Sequence, residues 1–159
     1  MLCIKNPSAI SVMAEGGRIL ARTMEEISQA VCVGKSTLEL DRLAHKYIIS
    51  SGAKPSFLGM YGFPNTLCIS VNDEVIHGIP SKKKILKSGD IVSVDAGVYF
   101  KGFHTDMART FIVGEVSKDV SLLVERTRQS FFEGISAART GNRISDISHA
   151  IEGYINKFA

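Results

Sequence analysis

Residues 91–111, IVSVDAGVYFKGFHTDMARTF, decide how this chain folds. Two runs rich in β-branched and aromatic residues flank Lys101-Gly102, the spacing of a two-residue hairpin turn. Turning the chain there pairs Phe100 with Phe103, and counting outward sets Gly97 opposite Asp106 and Asp95 opposite Ala108. Side chains alternate along a strand, so Asp95 and Gly97 share a face. Asp106 lies on that face too, as the diagonal neighbour of Asp95, roughly 7–8 Å away between backbones. Two carboxylates at that separation can bracket a cation, or a pair of cations about 3.5–4 Å apart. Gly97 between them leaves room for a ligand to approach the backbone. A one-residue slip of register would put the acids on opposite faces. Acids near strand ends also cap turns or pair with basic neighbours, here Arg109 or Lys101, and spacing alone does not choose between the two roles.

With 159 residues, 45% of them hydrophobic, the chain can bury one sizeable core. A net charge of +3 is too small to argue for a nucleic-acid partner. Lys82-Lys83-Lys84 follows a Pro-Ser turn and reads as a solvated loop. No apolar stretch approaches the roughly 18 residues of a membrane span, and the opening MLCIKNPSA lacks a signal-peptide pattern. Cys3, Cys32 and Cys68 are odd in number and widely spaced, which argues against a disulfide framework or thiolate zinc site and for a reducing compartment. These features predict a cytoplasmic protein with no membrane partner and no specific nucleic acid.

Asn6-Pro7 reads as a helix N-cap followed by proline at the first helical position. Ile10, Met13, Ala14, Gly17, Leu20, Ala21, Met24 and Ile27 then recur at helical spacing. Ser36-Thr37-Leu38-Glu39 fits a capping box opening a second helix that stops at Gly52. Strands and loops follow from about Phe57 to Gly114. Within them Leu67–Val71 and Glu74–His77 can pair around Asn72-Asp73, which would set Cys68 opposite His77. Helices return over roughly Asp119–Arg139 and from Ile144 onward. Segment 33–49, VGKSTLELDRLAHKYII, aligns with 140–156, TGNRISDISHAIEGYIN, superposing Gly34 on Gly141, Leu40 on Ile147 and Tyr47 on Tyr154. A helix precedes each copy. Either the chain holds a long internal repeat of helix, helix and strands, or two amphipathic helices resemble each other by chance.

The motifs Gly62-Phe63-Pro64, Cys68-Ile69-Ser70-Val71-Asn72, His77-Gly78-Ile79-Pro80 and GFHTDMARTFIVG (102–114) together resemble the type I methionine aminopeptidases, and the likeness runs from the first helix to the last. The resemblance implies an α+β pita-bread fold: related halves around an antiparallel central sheet flanked by helices. It implies one catalytic domain over 1–159, with a first half at about 1–114, helices of a second half at about 117–159, and that second half incomplete. It implies removal of the N-terminal methionine from nascent polypeptides with a small second residue, by a hydroxide activated by two divalent metal ions (cobalt, manganese, iron or zinc), with transient ribosome association. On this resemblance Asp95 and Asp106 are metal ligands, with Asp106 bridging. His77 is the catalytic residue that contacts substrate, and Phe63 and Cys68 line the methionine pocket, with Phe57 and Met60 as further candidates. Core packing is the competing reading of Phe57 and Met60. Family members take a ligand histidine, a second substrate-contacting histidine and two ligand glutamates from later strands. His45, His104, His149 and Glu152 do not match those positions, so this chain is expected to carry only part of the site and to be inactive alone. A non-catalytic module on the same fold, or a proline-specific peptidase or creatinase-like hydrolase, is the alternative.

Overall fold

Asn6 opens the first helix by accepting the Ala9 N–H on its side chain at 2.8 Å, and Pro7 sits where no N–H is needed. A computed structural model of the chain describes residues 4–158; Cys3 lies outside the described residues. Helix α1 spans Pro7–Ala30 and α2 spans Thr37–Ser50. The capping box at Ser36 and Glu39 forms as the sequence predicts, and Gly52, at φ +74°, ends the helical path. The buried face of α1 includes Gly16 and Thr23 beside Leu20, Met24 and Ile27, whereas Ile10 is exposed. This shifts the expected stripe. Gly16 faces Phe100 and Thr105 at the hairpin end, and Thr23 satisfies its hydroxyl on the Ile19 carbonyl.

The strands are β1 (Lys54–Pro55), β2 (Leu67–Val71), β3 (Ile91–Phe100) and β4 (Phe103–Ile112), joined into one antiparallel sheet. β3 is its centre, with β1 and β2 along one edge and β4 along the other. The register of β3 and β4 matches the sequence count: Phe100 pairs with Phe103, Gly97 with Asp106 and Asp95 with Ala108. Lys101 and Gly102 both take positive φ, +46° and +91°, the backbone of a two-residue turn that preserves strand twist. Val92, Val94, Ala96, Val98 and Phe100 face the core with Leu40, Ala44 and Ile48 of α2 and the buried face of α1. The alternate residues Ser93, Asp95, Gly97 and Tyr99 therefore share the other face.

The second predicted hairpin does not form. Residues 74–77 are not a strand, and Cys68 lies opposite Asp95 rather than His77. The Glu74 carboxylate accepts the Val71 N–H at 2.8 Å and pairs with Lys84, which closes the turn and takes the chain out of the sheet. His77 has φ +57°, a backbone no regular strand accommodates.

One buried carboxylate fixes the start of β2. Asp41 of α2 accepts the N–H groups of Thr66 and Leu67, each at 2.9 Å, and the Asn65 amide at 2.9 Å. Asp41→Ala strands two buried N–H donors, each worth about 1–3 kcal/mol when unsatisfied. It is expected to destabilise residues 4–115 by about 3 kcal/mol in urea unfolding. A loss below about 0.5 kcal/mol, the ordinary range for surface changes, would contradict this role.

The described chain divides after Glu115 into two compact units. The second holds α3 (Lys118–Ala137) and α4 (Ile144–Ile155), in close contact where Gly134 meets Ile147 and Ile151. A Cβ at Gly134 would fall 2.8 Å from Ile151 Cγ1, so glycine permits the approach. The two aligned segments share local backbone geometry. Gly34 and Gly141 both have positive φ, helices begin at the aligned positions 37 and 144, and the N3 acids Glu39 and Asp146 both accept the N-cap N–H.

Candidate active site

Asp95 and Asp106 project from one sheet face, with Gly97 between them on β3. Oδ1 of Asp95 is buried and has no hydrogen-bond partner. Burial, and next the charge of Asp106, push the Asp95 carboxyl above its usual range, with His77 and the Ala96 N–H opposing. The basic neighbours that could have given the acids a structural role are engaged elsewhere: Lys101 pairs with Glu15, and Arg109 lies over the Phe111 ring. An orphaned carboxylate oxygen beside a second carboxylate is an arrangement that a hard divalent cation answers, so the residues fit a metal. Among the described residues no cluster of three or more His, Cys, Asp and Glu is placed to hold one.

A cleft of about 610 Å³ opens onto the acids. One wall comes from a strained loop in which Gly59, Tyr61 and Gly62 all have positive φ. The Gly59 N–H donates to the Phe63 carbonyl at 2.8 Å, and Phe63 N–H donates back to Met60 at 2.9 Å, which holds Phe63 at the cleft. Cys68 enters from β2. His77 enters from the loop after β2, at the cleft by virtue of its neighbour: Gly78 accepts the Ile69 N–H at 2.8 Å and donates to Ser70 Oγ at 3.2 Å. A Cβ at Gly78 would fall 2.1 Å from the Ile69 carbonyl oxygen, so no other residue fits there.

Asp95, Asp106, His77, Phe63 and Cys68, all singled out from sequence, thus line one cleft, as do Phe57 and Met60. Tyr61, Gly62, Pro64 and Ile79 also line it; the sequence signal for the last three is their place in the Gly62-Phe63-Pro64 and His77-Gly78-Ile79-Pro80 motifs, and Tyr61 has none. The remaining histidines lie elsewhere. His45 Nδ1 is 2.9 Å from Thr66 Oγ1, His104 Nδ1 is 2.9 Å from Ser56 Oγ, and His149 and Glu152 sit on α4.

Cys68 is unsuited to nucleophilic attack. Burial, Asp95 and Asp106 push its thiol up to about 11, so it stays protonated at neutral pH. The cleft brings two carboxylates and a histidine together with apolar side chains, an arrangement suited to metal-assisted chemistry.

Comparison with known proteins agrees. The profile of metallopeptidase family M24 matches residues 11–159. A methionine aminopeptidase of Clostridium acetobutylicum is 46% identical over 158 residues, covering 99% of this chain and 63% of that protein. One from Clostridium perfringens is 48% identical over 155 residues, 98% of this chain and 62% of the relative. The crystal structure of methionine aminopeptidase from Thermotoga maritima superposes with a TM-score of 0.96 at 36% identity, over 99% of this chain and 63% of that one. This chain belongs to metallopeptidase family M24. Its fold is the α+β pita-bread fold of those enzymes, over less than two thirds of their length. Membership implies divalent metal. Among the described residues no helix is long and apolar enough to cross a membrane.

Proposed function

We propose that residues 1–159 supply the methionine pocket and part of the metal site of a cytoplasmic methionine aminopeptidase acting on nascent polypeptides with a small second residue. The observation that carries this reading is a cleft lined by Asp95, Asp106 and His77 together with Phe57, Met60, Phe63 and Cys68. Asp95 and Asp106 would hold the divalent metal, two ions in a complete site, drawn from cobalt, manganese, iron or zinc. When bound, the metal lowers the pKa of water and polarises the scissile carbonyl. The chain's own side chains do the rest of what is assigned to them. Phe63 and Cys68, with Phe57 and Met60, give soft apolar walls suited to a thioether. His77 donates a hydrogen bond to the substrate carbonyl, strongest as its oxygen gains charge. The remaining ligands and the general base come from outside these residues, and transient ribosome contact would deliver the substrate.

Two experiments test this. The full-length protein containing residues 1–159 is expected to release methionine from a Met-Ala-Ser peptide and to leave a dipeptide with proline in second place uncut. The reverse preference would favour a proline-specific peptidase, and activity on neither would favour a binding module. The 159-residue chain alone is expected to bind cobalt or manganese weakly and release no appreciable methionine, because two carboxylates fill only part of a coordination shell. β4 pairs only with β3 among the described strands, and its long outer edge invites pairing with a second copy, so self-association is expected by light scattering. Robust release by a monomer of this length would contradict the assignment.

A further inference from the structure

The backbone leaving β1 meets β3 at Gly97 more closely than any other residue there would allow. The Ser56 N–H donates to the Gly97 carbonyl at 2.9 Å, and the Ser56 hydroxyl lies 2.9 Å from Nδ1 of His104 on β4. A Cβ at Gly97 would fall 2.8 Å from both Phe57 Cε1 and Ser56 Cβ, so the missing side chain admits the Phe57 ring against the sheet and not, as the sequence predicts, a ligand. Tyr99, opposite His104 in register, packs on the imidazole with ring centroids 4.7 Å apart. Phe57 in turn lines the cleft with Asp95 and Asp106.

We propose that His104 is a positioning residue. Through Ser56 it seats Phe57 on Gly97, and the seated ring sets the width of the pocket for the first side chain. The pocket then favours a slim, unbranched side chain such as methionine over a branched or aromatic one. This rests on the reading of the cleft as the methionine pocket. It assigns work to residues that touch neither the acids nor substrate, and it explains why a histidine two positions from Asp106 is turned to a serine hydroxyl.

The test uses the full-length protein and peptides Met-Ala-Ser, Leu-Ala-Ser and Phe-Ala-Ser. Phe57→Ala is expected to lower the preference for methionine over phenylalanine by about tenfold or more, the scale of a changed apolar pocket contact. His104→Ala should shift it in the same direction, raising KM for methionine peptides while kcat and metal content are retained. His104→Asn, whose amide can take the place of Nδ1 towards Ser56, should recover the wild-type preference. In the Phe57→Ala background, His104→Ala should add nothing, because its effect passes through the ring. If thermal melts show that His104→Ala does not fold, Ser56→Ala removes the same hydrogen bond from the other side. An unchanged preference in His104→Ala or its substitute, full additivity with Phe57→Ala, or loss of metal would overturn the proposal; the last would make His104 a ligand. A wild-type protein that releases no methionine would instead sink the reading of the cleft, and this proposal with it.

Discussion

Asp95→Asn and Asp106→Asn, each made in the full-length protein, are expected to lower methionine release by about 10³-fold or more, with loss of bound divalent metal. The amide keeps the shape of the side chain and removes the charge that a hard cation requires. The metal-free proteins should behave differently from what a structural acid predicts. Asp95 presents a buried oxygen with no partner, and both burial and Asp106 disfavour its ionised form. Removing that charge relieves an unfavourable interaction, so metal-free Asp95→Asn should be at least as stable as the parent in urea unfolding. Adding manganese should then stabilise the parent and leave the variant unmoved. A variant destabilised without metal, yet still metal-loaded and active, would show that Asp95 serves the fold instead.

His77→Ala is expected to cost about 10²–10³-fold in kcat, the measured scale for losing one oxyanion donor, while metal content stays at the parental level. The separation follows from the backbone. His77 is carried by a loop fastened to β2 through Gly78, not by the strands that hold the acids, so its removal need not disturb them. Loss of metal in this variant, or a change in KM alone, would show that His77 has been given the wrong role.

The hairpin was legible because its information is local. Alternation fixes faces, a two-residue turn fixes register, and the two acids then fall on one side without reference to the rest of the chain. The helix starts were legible for the same reason, since Asn6 and Ser36 cap through residues three positions on. The path from Asn72 to His77 was not. Apolar Val75 and Ile76 suggested a strand, but both are exposed, and the chain is set by Glu74 meeting Lys84 and Gly78 meeting Ile69. Those contacts join residues that no short pattern links. Asp41 illustrates the same limit: on a helix it looks like a surface acid, and only the fold brings Thr66 and Leu67 to its oxygens. The cleft shows both cases. Phe63, Cys68 and His77 stood out within long motifs, whereas the seating of Phe57 on Gly97 depends on a strand crossing that the sequence leaves unmarked.

The shared face of β3 and β4, with Asp95 and Asp106 on it, is the proposed metal-binding surface. Anomalous diffraction at the cobalt edge, from cobalt-soaked crystals of this chain, tests it most directly. The predicted result is a peak within bonding distance of carboxylate oxygens from both Asp95 and Asp106, in the cleft that His77 also lines. A cobalt peak at His45, His104 or His149 with none between the two acids would contradict it.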